Sequence, residues 1–211
     1  MRITTYGHSC LHVEDGDASL LIDPGSFSSG FEGLTGLTAV LVTHQHPDHV
    51  VPDALAALAR ANPEAVLVVD PGTSEQIDGD GFAGRHVLRD GESVELAGTT
   101  VLGVGDQHAT IHPDIPVIPN TGYLVGGRLL HPGDALTRPD AEVEVLAIPA
   151  VAPWSKVSET VEYLRAVRPR LAFPIHDGLL VEAAKGVFDG ALGNLKDPAT
   201  QYRRLQEPLE V

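Results

Sequence analysis

Thr43-His44-Gln45-His46-Pro47-Asp48-His49 places three imidazoles and one carboxylate within six consecutive positions, His44 to His49. Neutral imidazole and carboxylate are the ligands of borderline divalent metals such as zinc. A polar surface loop has no need of that density. The run follows Thr38-Ala39-Val40-Leu41-Val42-Thr43, which reads as a buried strand. A rigid strand feeding a ligand-rich loop preorganises a metal site.

The 211 residues are 43% hydrophobic, enough to bury a sizeable core in one large domain or two small ones. Lys and Arg total 14 against 29 Asp and Glu, a formal charge of -15. That charge repels nucleic acid as a general partner. No apolar run approaches the ~20 residues that a bilayer span needs. The N-terminal Met1-Arg2-Ile3-Thr4-Thr5-Tyr6-Gly7 lacks the long apolar segment of a signal peptide. Cys10 is the only cysteine, so no intrachain disulfide forms, and it reads as a small core residue. The expectation is a soluble cytoplasmic protein with a small-molecule substrate and no membrane partner. Formation of a homo-oligomer is left open.

Short apolar stretches separated by Gly, Asp and Pro predict strands along most of the chain. They are Ile3–Tyr6, Cys10–Val13, Ser19–Ile22, Ala39–Val42, Ala65–Val69, His86–Leu88, Ser93–Leu96, Thr100–Val104, Gly122–Val125, Arg128–Leu130, Val143–Ile148 and Leu171–Ile175. A helix opens at Pro52-Asp53-Ala54 and closes before Pro63. A second is expected with Ser158 as its cap and Val161, Leu164 and Val167 on its apolar face. Leu179 to Phe188 is a weaker third. Without a Gly/Ser linker or composition break, this order favours two sheets packed in one domain, 1–211, with helices outside. Residues 190–211 read as a C-terminal extension, polar from Asp197 onward.

A site for two metals needs about six or seven protein ligands, more than one motif supplies. Three further loops follow apolar strands. Thr100–Val104 leads to Gly105-Asp106-Gln107-His108, Arg128–Leu130 to His131-Pro132-Gly133-Asp134, and Leu171–Ile175 to His176-Asp177-Gly178. Function concentrates on loops held by a rigid scaffold, so the recurrence of this pattern outweighs any single histidine.

His-x-His-x-Asp-His, then an isolated His, a Gly-Asp and a late His, resembles the metallo-β-lactamase superfamily. Gly7-His8-Ser9 and Leu21-Ile22-Asp23-Pro24-Gly25 match as well, in a manner similar to the small metal-dependent hydrolases grouped with ascorbate-phosphate lactonase. The likeness spans about residues 1 to 180. It implies an α/β (α+β) fold, a four-layer αββα sandwich with metals at one edge between the sheets. Carried over residue by residue, it implies that His44, His46 and His108 hold one metal. Asp48, His49 and His176 would hold a second, and Asp134 would bridge them. His112 competes with His108 for the third place. Asp23 would orient a metal-bound histidine. His8 would lie near the metals, His131 would support Asp134, and Trp154 would wall the pocket, with His112 as a further lining candidate. Lys156, beside Trp154, could meet an anionic substrate.

The implied chemistry is hydrolysis by a hydroxide shared between two divalent ions, zinc first, with manganese or iron as alternatives. Asp48 would act as ligand and as orienter of the nucleophile. No Gly-x-Ser-x-Gly elbow and no phosphate-cradling Gly-x-x-x-x-Gly-Lys loop is present. A small ester, lactone or related substrate fits best. A small-nucleotide phosphodiesterase shares the whole site, and a non-catalytic metal- or ligand-binding module is the alternative from another class.

Overall fold

The structure, a computed structural model, describes residues 1–79 and 81–211. Its strands are β1 (Arg2–Thr5), β2 (Leu11–Asp15), β3 (Ala18–Ile22), β4 (Ala39–Val42), β5 (Val66–Val69), β6 (Gly84–Val87), β7 (Ser93–Leu96), β8 (Thr99–Val104), β9 (Gly122–Val125), β10 (Leu129–His131), β11 (Val145–Pro149), β12 (Leu171–Ile175), β13 (Gln201–Tyr202) and β14 (Leu209–Glu210). Helices are α1 (Pro52–Ala61), α2 (Pro71–Gln76), α3 (Val157–Val167) and α4 (Glu182–Leu195). Each strand expected from the sequence is present, its ends within two residues.

Among the described residues there are two seven-stranded sheets. The first runs β14-β1-β2-β3-β4-β5-β6 and the second β13-β12-β11-β10-β9-β8-β7. Each is antiparallel at its hairpin end, and β3 to β6 and β10 to β13 are parallel. The parallel strands β4, β11 and β12 are buried along their whole length. They are therefore apolar at every position instead of alternating.

Alternate faces of the strands build three cores. Leu11, Leu20, Leu41 and Val68 of the first sheet meet Val101, Tyr123, Val145 and Phe173 of the second. Val40, Val42 and Leu67 face outward onto Leu55 and Leu58 of α1. Leu146, Ile148 and Ala172 face Val161 and Leu164 of α3 and Leu192 of α4. The result is the four-layer αββα order. Tyr123 is fully buried and its hydroxyl donates to the Val42 carbonyl at 2.7 Å, joining the sheets directly under the His44 loop. Burying the phenol without that acceptor would cost about 1–3 kcal/mol.

Four features differ from expectation. α3 starts at Val157 with Lys156, not Ser158, as its cap residue. The Glu159 carboxylate accepts the Lys156 N–H at 3.0 Å, so the stabilising contact comes from inside the first turn. α4 begins later and runs further than Leu179 to Phe188, because Gly186, Gly190 and Gly193 dilute its apolar periodicity. α2 was not expected; buried Asp70 caps it by accepting the Gly72 and Thr73 N–H groups. Finally, the C-terminal segment supplies an edge strand to each sheet, β13 on β12 and β14 on β1. Two-residue strands carry too little pattern to be read in advance.

Candidate metal centre

Parallel strand direction brings the candidate ligands to one edge. His44 to His49 follow β4 of the first sheet. His108, Asp134 and His176 follow β8, β10 and β12 of the second. Open α/β sheets bind ligands outside the carboxyl ends of their strands for this reason. Asp23 follows β3, the parallel neighbour of β4. His8 sits in the β1–β2 connection, and its carbonyl accepts the His176 N–H at 2.9 Å, pinning one sheet's loop to the other's. His8, Asp23 and His176 all have positive φ, at 46°, 50° and 59°. Non-glycine residues hold that conformation only where surrounding contacts impose it.

One side of the His44, His49, His108 and His176 imidazoles is committed to the protein. His49 Nδ1 donates to Asp23 Oδ2 at 2.7 Å, His108 Nδ1 to the Ala109 carbonyl at 2.6 Å, and His176 Nδ1 to the Val151 carbonyl at 2.7 Å. Asp23 also accepts both the N–H and the hydroxyl of Thr43, so its carboxylate is fully engaged. The Thr43 oxygen lies 3.1 Å from His44 Nδ1. These bonds hold Nδ1 against the protein and turn the Nε2 atoms inward. His44 Nε2 lies 3.0 Å from His46 Nδ1.

The inward atoms form two groups. His44, His46, His108 and Asp134 offer ligand atoms all within 4.8 Å of one another, as do His8, Asp48, His49 and His176. Asp134 reaches both: Oδ1 is 3.1 Å from His49 Nε2, and Oδ2 is 3.1 Å from His176 Nε2 and 3.4 Å from His108 Nε2. Asp48 Oδ2 lies 3.5 Å from His176 Nε2. Nε2 of His49, His108 and His176 and Oδ1 of Asp134 are buried, and their close approaches to one another lack hydrogen-bond geometry. Buried polar atoms are rarely left so, and a convergent set of them suits cation ligation.

The electrostatics point the same way. Burial opposes charge on His44 and holds its pKa well below the usual value, leaving a neutral imidazole. Burial opposes charge on His49 too, but the Asp134 and Asp23 carboxylates outweigh it and raise its pKa well above the ordinary range. His176 is pushed up to about 9: burial opposes the shift, and Asp134 and Asp48 win. Asp134 and Asp48 are lowered despite burial by the imidazoles around them. The two carboxylates favour positive charge on His49 and His176, a charge that a divalent cation would otherwise supply.

Of the flanking residues, Trp154 Nε1 donates to Asp134 Oδ2 at 2.8 Å. His131 bridges Ser9 and the Asp134 turn, donating to the Ser9 carbonyl at 2.8 Å and accepting the Gly133 N–H. His112 is misplaced by the sequence reading. It lies in neither ligand group and does not line the pocket: its side chain is 61% exposed and accepts the Asp114 N–H. The turn at 112–115 carries it into solvent. Lys156 also points away, its ammonium 3.6 Å from Glu159. The sequence reading missed Asn120, whose Oδ1 accepts the Asp134 N–H and whose amide donates to the Pro132 carbonyl. Gly25 was quoted in the matching run, but its packing role was not read: any side chain there would overlap the backbone of Asp48 and His49. Its place in Asp23-Pro24-Gly25, next to a strand end, was the available signal.

A cavity of about 380 Å³ opens onto the two groups, with Asp48, His108, Asp134 and His176 at its floor and Phe27, Ile111, Trp154 and Leu179 among its walls.

The chain is similar to several known proteins. A family profile described as "Beta-lactamase superfamily domain" matches residues 2–176. A Mycobacterium tuberculosis protein, Rv0786c, is 52% identical over 216 residues, covering 100% of this chain and 99% of that one. A UPF0173 metal-dependent hydrolase of Mesorhizobium japonicum, mll0680, is 43% identical over 118 residues, 52% of this chain and 49% of its own. The solved structure of Igni18, a metallo hydrolase from the archaeon Ignicoccus hospitalis, superposes with a TM-score of 0.75 at 19% identity, covering 100% of this chain and 98% of that one.

Proposed function

The chain belongs to the metallo-β-lactamase superfamily, and on that footing we propose that it is a metal-dependent hydrolase using two divalent cations to cleave a small ester, lactone or related substrate. The observation that carries this reading is the convergence of buried, unpartnered ligand atoms: Nε2 of His49, His108 and His176, and Oδ1 of Asp134. His44, His46 and His108 would hold one cation, Asp48, His49 and His176 the other, and Asp134 both. Five imidazoles and two carboxylates suit zinc first, while mixed nitrogen and oxygen sets also accept manganese or iron.

When bound, the cations supply a water-derived nucleophile at neutral pH and polarise the substrate's electrophilic oxygen. The protein's own part is positioning. Half-buried Asp48, oriented by His8, faces the cavity, where its carboxylate can accept a proton from the attacking water. Asp23, Thr43, Val151 and Ala109 engage Nδ1 of His49, His44, His176 and His108, so that Nε2 is the nitrogen each of these rings leaves for a cation. Pro153 and Trp154 wall off the cavity on the α3 side. No serine or cysteine nucleophile is required; Cys10 is fully buried among apolar neighbours.

The test combines metal analysis with a panel of lactone, ester, thioester and phosphodiester substrates. Two equivalents of metal with turnover, lost in His46→Ala and Asp48→Ala while the circular dichroism spectrum is kept, is the expected result. Full activity in either variant overturns the mechanism. Bound metal with no turnover across the panel would leave a non-catalytic binding module.

A further inference from the structure

We infer that the substrate is an uncharged carbonyl compound carrying an apolar acyl or leaving group, recognised by Phe27, Ile111, Trp154 and Leu179; this rests on the hydrolase reading above. The cavity walls supply the argument. Outside the candidate ligands, the cavity is lined by Phe27, Pro47, Ile111, Pro153, Trp154 and Leu179, and by Ser26 as the single other polar side chain among the described residues. The one further donor, the Trp154 indole N–H, is spent on Asp134.

Three of the wall residues are large apolar side chains left open to solvent: Phe27 is 48% exposed, Ile111 39% and Leu179 50%. They come from three separate connections, after β3, β8 and β12. Converging apolar groups on a mouth are a binding surface, and their burial by a ligand is the favourable contact available there.

Charge argues in the same direction. Among the described residues no Lys or Arg lines the cavity. Lys156 is paired with Glu159, and Arg204 is held by Asp177 and Asp189 behind the His176 loop. The formal charge of -15 adds a long-range field that repels anions. A nucleotide phosphodiester would bring phosphate oxygens, ribose hydroxyls and base edges into walls that offer one serine. Phosphate recognition usually recruits arginine or lysine forks, and none is here. A neutral ester needs only the centre for its carbonyl and the apolar walls for its substituent.

The experiment uses the metal-loaded protein and matched substrates. Rates are compared for phenyl acetate, phenyl butyrate, the phenyl half-ester of succinate and bis(p-nitrophenyl) phosphate. kcat/KM is expected to rise about 15-fold from acetate to butyrate, at roughly fourfold for each of the two added methylenes. It should fall by about 100-fold when the terminal methyl becomes a carboxylate, an unpaired charge among apolar walls. Ile111→Lys, checked for unchanged metal content, should lower the butyrate rate and raise the succinate rate. Preference for the half-ester or the phosphodiester in the wild type overturns the inference and leaves the hydrolase reading standing.

Binding is read separately. Trp154 is the only tryptophan, so its emission reports cavity occupancy in the metal-free protein. Hexanamide should shift it and adenosine monophosphate should not; the reverse also overturns the inference. If hexanamide binds but no member of the panel is turned over, the hydrolase reading falls and the apolar specificity of the site stands.

Discussion

His8 Nε2 lies 3.1 Å from Asp48 Oδ2, while His8 Nδ1 accepts the Gly178 N–H at 3.1 Å. The second contact decides the first. With Nδ1 occupied as an acceptor, the ring proton sits on Nε2 and is donated to the carboxylate. His8 is therefore a positioning residue for Asp48, locked by the loop that carries His176. Replacing it with alanine should lower metal affinity at the Asp48–His49–His176 group and kcat by about 10–100-fold, the usual effect of removing a partner of a metal-binding group. Gln, which retains a donor, should recover part of the loss. Equal affinities for wild type and His8→Ala in a chelator-competition titration would count against this role.

Trp154 offers an independent check on Asp134. Trp154→Phe keeps an aromatic wall but removes the hydrogen bond to Asp134 Oδ2. Metal affinity should drop by about tenfold with little change in melting temperature. A variant that binds both cations as wild type would show that Asp134 is held well enough by Asn120 alone.

Gly25→Ala tests the backing of the central motif. The added methyl would overlap the Asp48 carbonyl and the His49 nitrogen, both backbone atoms that cannot swing aside. Overpacking of this kind costs about 3 kcal/mol, or roughly 6–12 °C in melting temperature for a chain of this size. The Asp48–His49 turn must also move, so metal content should fall with it. A melting temperature unchanged in differential scanning calorimetry would mean that the two loops are not in contact in solution.

Proton release should accompany metal binding. In the metal-free protein the raised pKa values of His49 and His176 keep both imidazoles protonated at pH 7. Ligation needs their Nε2 lone pairs, so about two protons leave per filled centre. Affinity should rise with pH from 7 towards about 9, where His176 loses its proton unaided. The sign for the metal-free fold is opposite. A raised folded-state pKa stabilises below the ordinary histidine value of 6.5 and stops doing so as pH climbs through about 9. Calorimetric titration in buffers of different ionisation enthalpy measures the first effect and urea melts across pH 6 to 10 the second. Binding without proton release would contradict the charge states assigned to the two rings.

The strands were legible because each is short, apolar and punctuated by Gly, Asp or Pro, a pattern local to four or five residues. α1 was legible from Pro52 and Pro63. α2 and the edge strands β13 and β14 were not, since Gly72 interrupts one and two residues define each of the others. At the centre, spacing singled out the ligand-bearing residues, because imidazole and carboxylate concentrate there for a chemical reason. His112 shows the limit. It and His108 are both histidines just beyond β8, and only the path of the turn separates an inward ring from one in solvent.

The sequence by itself determined which side chains can ligate a metal and that they stand at the ends of apolar strands, since residue chemistry and periodicity are local properties. Only the tertiary structure decided how those side chains divide into two groups, which ring nitrogens face inward and what walls the cavity. Those outcomes depend on partners distant along the chain: Gly178 for His8, 170 residues away, Asp23 for His49, and Val151 for His176. A hydrogen bond that sets a tautomer, or a cavity that Leu179 and Phe27 line together, exists only once the two sheets have closed on each other.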